Sequence, residues 1–466
     1  MTSADTAHCS SESLGSVSQR LARFAHGVEL DDVPNAIRRD IELHVLDAIG
    51  VGMAASSDPI AEPLRRLLRE RPPGGAATFL GFLTNESDGA FANAALIHAL
   101  DFDDTHQASL VHPTAPIVST VFAVGTTVDA GGPELLVATA IGLEVVTLLG
   151  ELGASDWHSR FHSHGFHPTA VCGALGAAIV AARLLGADDA CMATAVAIAA
   201  SLTGGSSQVI QRGLRTKMLN VGHAAATGIL AARMAIAGFP GGSGFLEDSR
   251  GFFDVFTGGA PSQVDALDEL GQRWRIADTA MKEFPAGFGE HPFIRGALEL
   301  RRRHDLQPAD IVEVVYGDVE AQIANASEPA AEKRSPASGY HGKFSRYYCI
   351  ACALARGQVT LDAFSDDSVL DDDIHGIAQR TRYEVSDERW IEVTVADGRK
   401  LREPLGSDVT PLGKAAVIAK FDDNVIRGGR DPAHVQAVLA ALWREQHAAP
   451  TIVTLLSPPA SSRYQK

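Results

Sequence analysis

Cysteine, aromatic residues and positive charge are all scarce in this chain of 466 residues. Lys and Arg number 40 against 57 Asp and Glu, a formal net charge of -17 with histidine neutral. That balance repels nucleic-acid backbones and anionic membrane surfaces, so neither is expected as a partner. It leaves the substrate open, because a basic pocket fits inside an acidic protein. Five cysteines, an odd number at wide spacing, make no disulfide framework and point to a reducing compartment. The opening MTSADTAHCSSESLG has neither an arginine-rich amphipathic stretch nor an apolar signal core. A cytoplasmic location is therefore expected. There is no Walker loop, no GxGxxG after a strand and no GxSxG elbow, so no nucleotide cofactor and no serine-elbow hydrolase is expected. The long apolar stretch from Leu135 to Leu152 carries Glu144 and Glu151 and is thick with Gly and Ala. It reads as a buried helix rather than a membrane span.

What is present is helix. The length favours two domains, and 45% hydrophobic residues supply a large core. LDDVPNAIRRDIELHVLDAIGVGMAA opens on an Asp cap and an early proline. PTAVCGALGAAIVAARLLG and DDACMATAVAIAASLTGG are nearly free of polar residues, as central bundle helices are. After Ile276 the pattern changes. DIVEVVYGD alternates like a strand, with Val312, Val314 and Tyr316 on one side. ERWIEVTVADGRKLREPLG predicts a hairpin turning at Asp397-Gly398, and KFSRYYCIACALARG between them predicts a helix. The tail returns to helix with DPAHVQAVLAALWREQ. The expected architecture is mainly α: a large all-helical bundle built from both chain ends (residues 1–275 and 409–466), with a smaller α+β unit (276–408) inserted.

Chemistry-bearing residues cluster in HALDFDDTH, residues 98–106, directly after the apolar GAFANAALI. An isolated acidic run is ordinarily a solvated helix end. Here the flanks are apolar, so the carboxylates need partners. On a helix, Asp101 and Thr105 would share a face and Asp103 would point elsewhere. His112 follows, with Pro113 after it. WHSRFHSHGFHPT holds His158, His162, His164 and His167, but it has no HExxH, no cysteine pair and no regular carboxylate spacing. No metal site is expected from it. His167 stands at a helix N-terminus, where an anion is welcome. Lys217 and Lys282 sit in apolar neighbourhoods, where a lysine needs a carboxylate partner. Cys349 and Cys352 form a lone CxxC and read as small buried hydrophobes.

With HALDFDDTHQASLVHP, GFHPTAVCGALGAA, RTKMLNVGHAA, MKEFPAGFGEHP and KFSRYYCIACAL in that order, the chain resembles the MmgE/PrpD family. That family includes 2-methylcitrate dehydratases, cis-aconitate decarboxylases and iminodisuccinate epimerase. The resemblance implies a helical domain with an inserted α+β lid, a homodimer, and a site in the interdomain cleft that uses neither metal nor cofactor. It maps site roles onto Asp101, Thr105, His112, His167, Lys217, Lys282 and Tyr348. His106 replaces a tryptophan of several relatives, and Met218 a proline. The implied substrate is a small di- or tricarboxylate. Asp101 and His112 are the expected proton-transfer pair. Lys217, Lys282 and His167 would stabilise developing negative charge, and Thr105 and Tyr348 would orient substrate. The leading expectation is a lyase resembling 2-methylcitrate dehydratase. Decarboxylation of cis-aconitate and epimerisation of an imino-dicarboxylate are the alternatives, and a non-catalytic polycarboxylate binder is the reading from a different class.

Overall fold

The computed structural model describes residues 15–155, 158–406 and 412–457. The polar opening residues and the expected boundary at 408/409 lie outside them. The fold is mainly α, with small sheets. One hydrophobic core gathers buried residues from Val17 to Ile276 and again from Phe421 to Leu456. A second gathers residues from Phe284 to Leu401.

The first core is built on helices α1 (Asn35–Ser57), α2 (Glu86–Ala99), α3 (Thr114–Val128), α4 (Gly132–Leu152), α5 (Pro168–Leu184) and α6 (Lys217–Ile236). Asn85 caps α2 by accepting from the Asp88 amide at 2.9 Å, and Pro168 opens α5, where its missing N–H costs nothing. Helix α6 packs on both α2 and α5. Glycine permits this closeness. A Cβ added at Gly228 would lie 2.3 Å from the Ala177 Cβ, and one at Gly222 would lie 2.6 Å from the Phe91 carbonyl oxygen. Helix α4 is long and apolar enough to cross a membrane, but it is wholly buried within the protein. Its Glu144 and Glu151 meet Arg275, which donates to Glu151 at 2.6 Å and to Glu269 at 2.9 Å. The carboxylates that interrupt the apolar run are thus paired internally, as buried charges must be.

Short two-stranded ribbons interrupt the helical core, so it is not wholly helical. They join Pro73–Ala77 (β1) to Leu83–Thr84 (β2), Ala154–Ser155 (β4) to His158–Ser159 (β5), and Thr105–His106 (β3) to Thr279–Ala280 (β6). The second core carries a four-stranded sheet of Ile311–Asp318 (β7), Thr381–Val385 (β8), Trp390–Val395 (β9) and Lys400–Pro404 (β10), in the order β10-β9-β7-β8. Strands β7 and β8 run parallel, the other pairs antiparallel. Helix α7 (His291–His304) packs on β9 and β10 and against α8 (Arg346–Arg356), which in turn packs on α9 (Asp372–Gln379). The β9–β10 hairpin turns at Asp397-Gly398, with Gly398 at φ +88°. In β7, Val314 and Tyr316 are buried but Val312 is 51% exposed. The register against β9 shifts between Ile311 and Glu313, and this bulge turns Val312 off the face it was expected to share. Cys349 and Cys352 are free and buried on α8.

The remaining helices are α10 (Lys414–Arg427), α11 (Pro432–Leu442) and α12 (Ala449–Leu456). Helix α10 lies on α1 and α12 on α3, so the chain end returns to its beginning. Asp431 caps α11 by accepting from the Ala433 amide at 3.2 Å. If the α5–α6 contact holds the first core together, Gly228→Val should lower unfolding free energy by about 1–3 kcal/mol or more, the cost of overpacking. Gly27→Ala, where an added Cβ meets nothing within 4 Å, is the control. Urea unfolding that shows equal losses for the two variants would refute the close-contact account.

Candidate active site

Residues 98–106 are not a helix throughout. Helix α2 stops at Ala99, and Asp101 takes φ +52°, a left-handed conformation that a right-handed helix cannot continue through. Thr105 and His106 are extended and pair with Ala280 and Thr279. The helical face expected to join Asp101 to Thr105 therefore does not exist.

Each carboxylate of the loop instead has its own buried partner. Asp101 accepts from two lysines: Lys217 Nζ on one carboxylate oxygen and Lys282 Nζ, at 2.9 Å, on the other. Lys282 also donates to the Asp101 carbonyl at 3.0 Å. Asp103 Oδ2 lies 2.7 Å from His98 Nδ1. Asp104 Oδ2 lies 2.7 Å from His44 Nδ1 and accepts from the Thr114 hydroxyl. Lys420, on the C-terminal helix α10, donates to the Phe102 carbonyl at 2.7 Å and to Asp47. Asp103 is thus no bystander, although the helical reading pointed it elsewhere.

The elements explain the convergence. Lys217 is the first residue of α6, and α6 lies against α2, whose end leads into Asp101. The β3–β6 ribbon sets Thr105 opposite Ala280, two residues before Lys282. Burial raises the Asp101 pKa, but Lys217 and Lys282 outweigh it and hold the carboxyl well below its ordinary range. Asp101 is therefore an ionised, lysine-bound anion and a weak base. In this arrangement Asp101 serves as counter-ion to the two lysines, and the geometry adds nothing for its expected share in the proton transfer.

His112 is differently placed. Its Nδ1 lies 2.7 Å from the Asp104 carbonyl oxygen, which only accepts, so Nδ1 carries the proton. The Thr105 hydroxyl is 3.0 Å from the same nitrogen. The lone pair on Nε2 remains for the cavity that His112 lines. His167 occupies the N-cap position of α5 without capping it, and both of its ring nitrogens are buried without a partner. Burial first, then Lys217, holds the His167 ring neutral; burial does the same for His112, with Lys217 and Lys282 adding to it against Asp103. His98 is likewise pushed down by burial, against Asp103.

A cavity of about 640 Å³ brings these groups together. Asp101, Thr105, His112, His167, Lys217 and Lys282 line it, with Phe288, Gln322, Phe344 and Arg389 from the side of the second core. Tyr348 is not among its lining residues. Its hydroxyl donates to the Ala363 carbonyl at 2.8 Å, and its ring tilts against Phe364, inside the second core. The role expected of Tyr348, orienting substrate, therefore has no geometry behind it. Tyr340 does have an unpartnered buried hydroxyl, in the neighbouring cavity with Lys343. Burial brings the Lys343 ammonium down to about 7. Of the histidine-rich segment, His162 lines the main cavity from a helical turn (Arg160–Ser163), while His164 is exposed. His98 and Asp103 escaped functional assignment in the sequence, although both lie within the quoted motif.

Neutral buried histidines make stability fall in acid. Their folded pKa lies below the unfolded value of 6.5, so the unfolded chain binds more protons between the two values, and stability present above 6.5 is lost as pH falls beneath it. Each of His98, His112 and His167 should contribute up to about 1.4 kcal/mol per pH unit in that window, above the range where unfolded carboxylates titrate. Urea unfolding at pH 7.5 and 5.5 should show the loss, and His167→Gln should make it shallower. A stability that stays flat over this interval would show that the rings are already charged.

Residues 19–265 match the MmgE/PrpD N-terminal domain and residues 284–445 the MmgE/PrpD C-terminal domain. The chain is 26% identical over 388 residues to cis-aconitate decarboxylase of Mus musculus, covering 80% of this chain and 76% of that one. To cis-aconitate decarboxylase of Homo sapiens it is 26% identical over 369 residues, 76% of this chain and 73% of the other. To cis-aconitate decarboxylase of Aspergillus terreus it is 25% identical over 392 residues, 80% and 79% of the two chains. The N-terminal match falls on the first core, the C-terminal match on the second core and part of the returning helices of the first, and the chain belongs to the MmgE/PrpD family.

Proposed function

We propose that this chain is a metal-independent lyase acting on a small di- or tricarboxylate, and that decarboxylation of cis-aconitate or a close analogue is its reaction. The observation that carries the reading is a cavity in which two buried ammonium groups share one carboxylate, beside a histidine with an unused nitrogen. The pair Lys217 and Lys282 keeps one positive charge in excess of Asp101, and an incoming carboxylate can take it up. The named relatives turn a general lyase reading toward decarboxylation.

In that reaction the bond from the saturated carbon to its carboxylate breaks, and carbon dioxide leaves. The released pair forms the new double bond, and the old π pair moves to the carbon beside a remaining carboxylate. A proton then lands on that carbon. Lys217 and Lys282 stabilise the negative charge that develops on the carboxylate. His112, through Nε2, carries the proton, and the bound substrate's own negative charge favours the protonated ring. The α+β part would act as a lid, since Phe288, Gln322 and Arg389 complete the cavity from that side.

Dehydration of a 2-methylcitrate-like acid is the second reading. One observation favours it: His112 is neutral in the empty site, the form in which it removes a carbon-bound proton. Proton NMR separates the two. With cis-aconitate the first predicts carbon dioxide and an unsaturated dicarboxylate; with 2-methylcitrate the second predicts loss of water and no gas. Binding of both acids without turnover would favour the non-catalytic alternative and sink the lyase reading.

His112→Asn should cut kcat by about a hundredfold or more, the scale of losing a general acid–base group, with a smaller change in KM. Equal kcat in a folded variant would remove His112 from the reaction. Activity should also survive exhaustive chelation; a loss restored by one divalent metal would reverse the metal-independent assignment.

A further inference from the structure

Three histidines meet beside the cavity: His112 and His167 line it, and His98 is buried against them. His98 and His167 stack with ring centroids 5.5 Å apart at 30°, and His112 lies 4.9 Å from His98 and 6.4 Å from His167. One ring nitrogen from each lies within 4.8 Å of the others. Two of the rings are already oriented. His98 places Nδ1 against the Asp103 carboxylate at 2.7 Å, and His112 places Nδ1 against the Asp104 carbonyl at 2.7 Å. Metal-bound histidines are held in this way, with one nitrogen giving its proton to a carboxylate or a backbone carbonyl and the other presenting its lone pair. His98 Nε2 and both nitrogens of His167 are buried with no hydrogen-bond partner. Each such orphan costs about 1–3 kcal/mol, and a shared ligand relieves His98 Nε2 and one nitrogen of His167 together.

We propose that His98, His112 and His167 form a binding site for a divalent transition cation of the zinc class, reached through the cavity. Three imidazole nitrogens suit such an ion better than calcium or magnesium, which take oxygen ligands. A tetrahedral zinc ion with bonds of about 2.0–2.1 Å holds its ligand nitrogens about 3.4 Å apart, so the rings draw inward by an ångström or so. His167, tethered by no hydrogen bond, is free to make most of that movement. The neighbouring charges balance: Lys217 and Lys282 oppose a cation, and Asp101 and Asp103 favour it. His112 and His167 line the cavity, so a fourth ligand would come from that side. An ion there takes up the Nε2 lone pair of His112, so it blocks the turnover proposed above rather than driving it. That consequence rests on the lyase reading; the binding does not.

The test uses cobalt(II) alone, as a spectroscopic substitute for zinc, on chelator-stripped full-length protein without substrate. One equivalent should bind, with visible bands stronger than those of the aqua ion, as low coordination number produces. His98→Gln and His167→Gln should each weaken binding by about tenfold or more, and Asp103→Asn by about tenfold, the range seen when a supporting partner is lost. Anomalous scattering from zinc-soaked wild-type crystals gives a second readout that needs no variant to fold, and a peak among the three rings supports the site. No cobalt binding, a spectrum like that of the aqua ion, undiminished affinity in both glutamine variants, or a zinc peak elsewhere overturns it. Cobalt bound at one equivalent with turnover unimpaired would uphold the site and displace His112 from the reaction instead.

Discussion

The site depends on a carboxylate bridging two buried ammonium groups. Asp101 is 1% exposed, Lys217 2% and Lys282 0%, so solvent screens them poorly and none of the three charges can stand alone. Burying an unpaired ion costs several kcal/mol even after relaxation, and removing one partner of such a cluster typically costs about 3–5 kcal/mol. The bridge therefore dictates where three separate pieces of chain must be: the end of α2, the start of α6 and the segment after β6. The close contacts of α6 with α2 and the β3–β6 ribbon satisfy that demand. Asp101 meets it from a left-handed conformation, which for a non-glycine residue stores strain of order 1–3 kcal/mol. Such strain persists where the surroundings over-determine it, and here hydrogen bonds from Lys282 reach both the carbonyl and the carboxylate of the strained residue.

The same loop distributes its three carboxylates among three tasks. Asp101 balances the lysines, Asp103 fixes the His98 ring, and Asp104 ties the loop to α1 through His44 and to α3 through Thr114. The density of acid that stands out in HALDFDDTH is therefore not one acidic surface but three separate pairings. Lys420 adds a fourth tie, from the far end of the chain to the Phe102 carbonyl. The C-terminal helices thus contribute to the site without lining its cavity.

Much of this was legible in the sequence, and the limits have physical causes. Local pattern carried the hairpin at Asp397-Gly398, the α8 and α11 helices and the burial of α4, because each rests on neighbours in the chain. The motifs carried Asp101, Thr105, His112, His167, Lys217 and Lys282 to one cavity. What failed was geometry that local pattern does not encode. The helical reading of residues 101–105 missed a left-handed aspartate that tertiary lysines pay for. The side of Val312 was lost to a bulge that only pairing with β9 creates. Tyr348 shares a motif with cavity-facing neighbours, but its hydroxyl is consumed by Ala363, a partner 15 residues away. His98 opens the quoted motif without an assigned role, and only the folded loop shows its ring against Asp103.

The arrangement also bears on how one site could serve either of the two lyase reactions proposed. On the proposed reading the lysines and Asp101 would bind and polarise carboxylates whatever follows, since they respond to negative charge and not to which bond breaks. The choice of reaction would then fall on the proton carried by His112. Neutral, with Nε2 open, it would take a proton from carbon and set up elimination. Protonated, it would deliver one to the carbon beside the remaining carboxylate, where the old π pair arrives. In the empty cavity burial and the two lysines hold it neutral. A substrate with more carboxylates than the lysines can neutralise leaves negative charge beside the ring and favours the acid form. A tricarboxylate that loses carbon dioxide and an alcohol that loses water thus ask the same residues for opposite protonation states. Both acids carry three carboxylates, so their placement relative to the ring, and not their number, would decide between them.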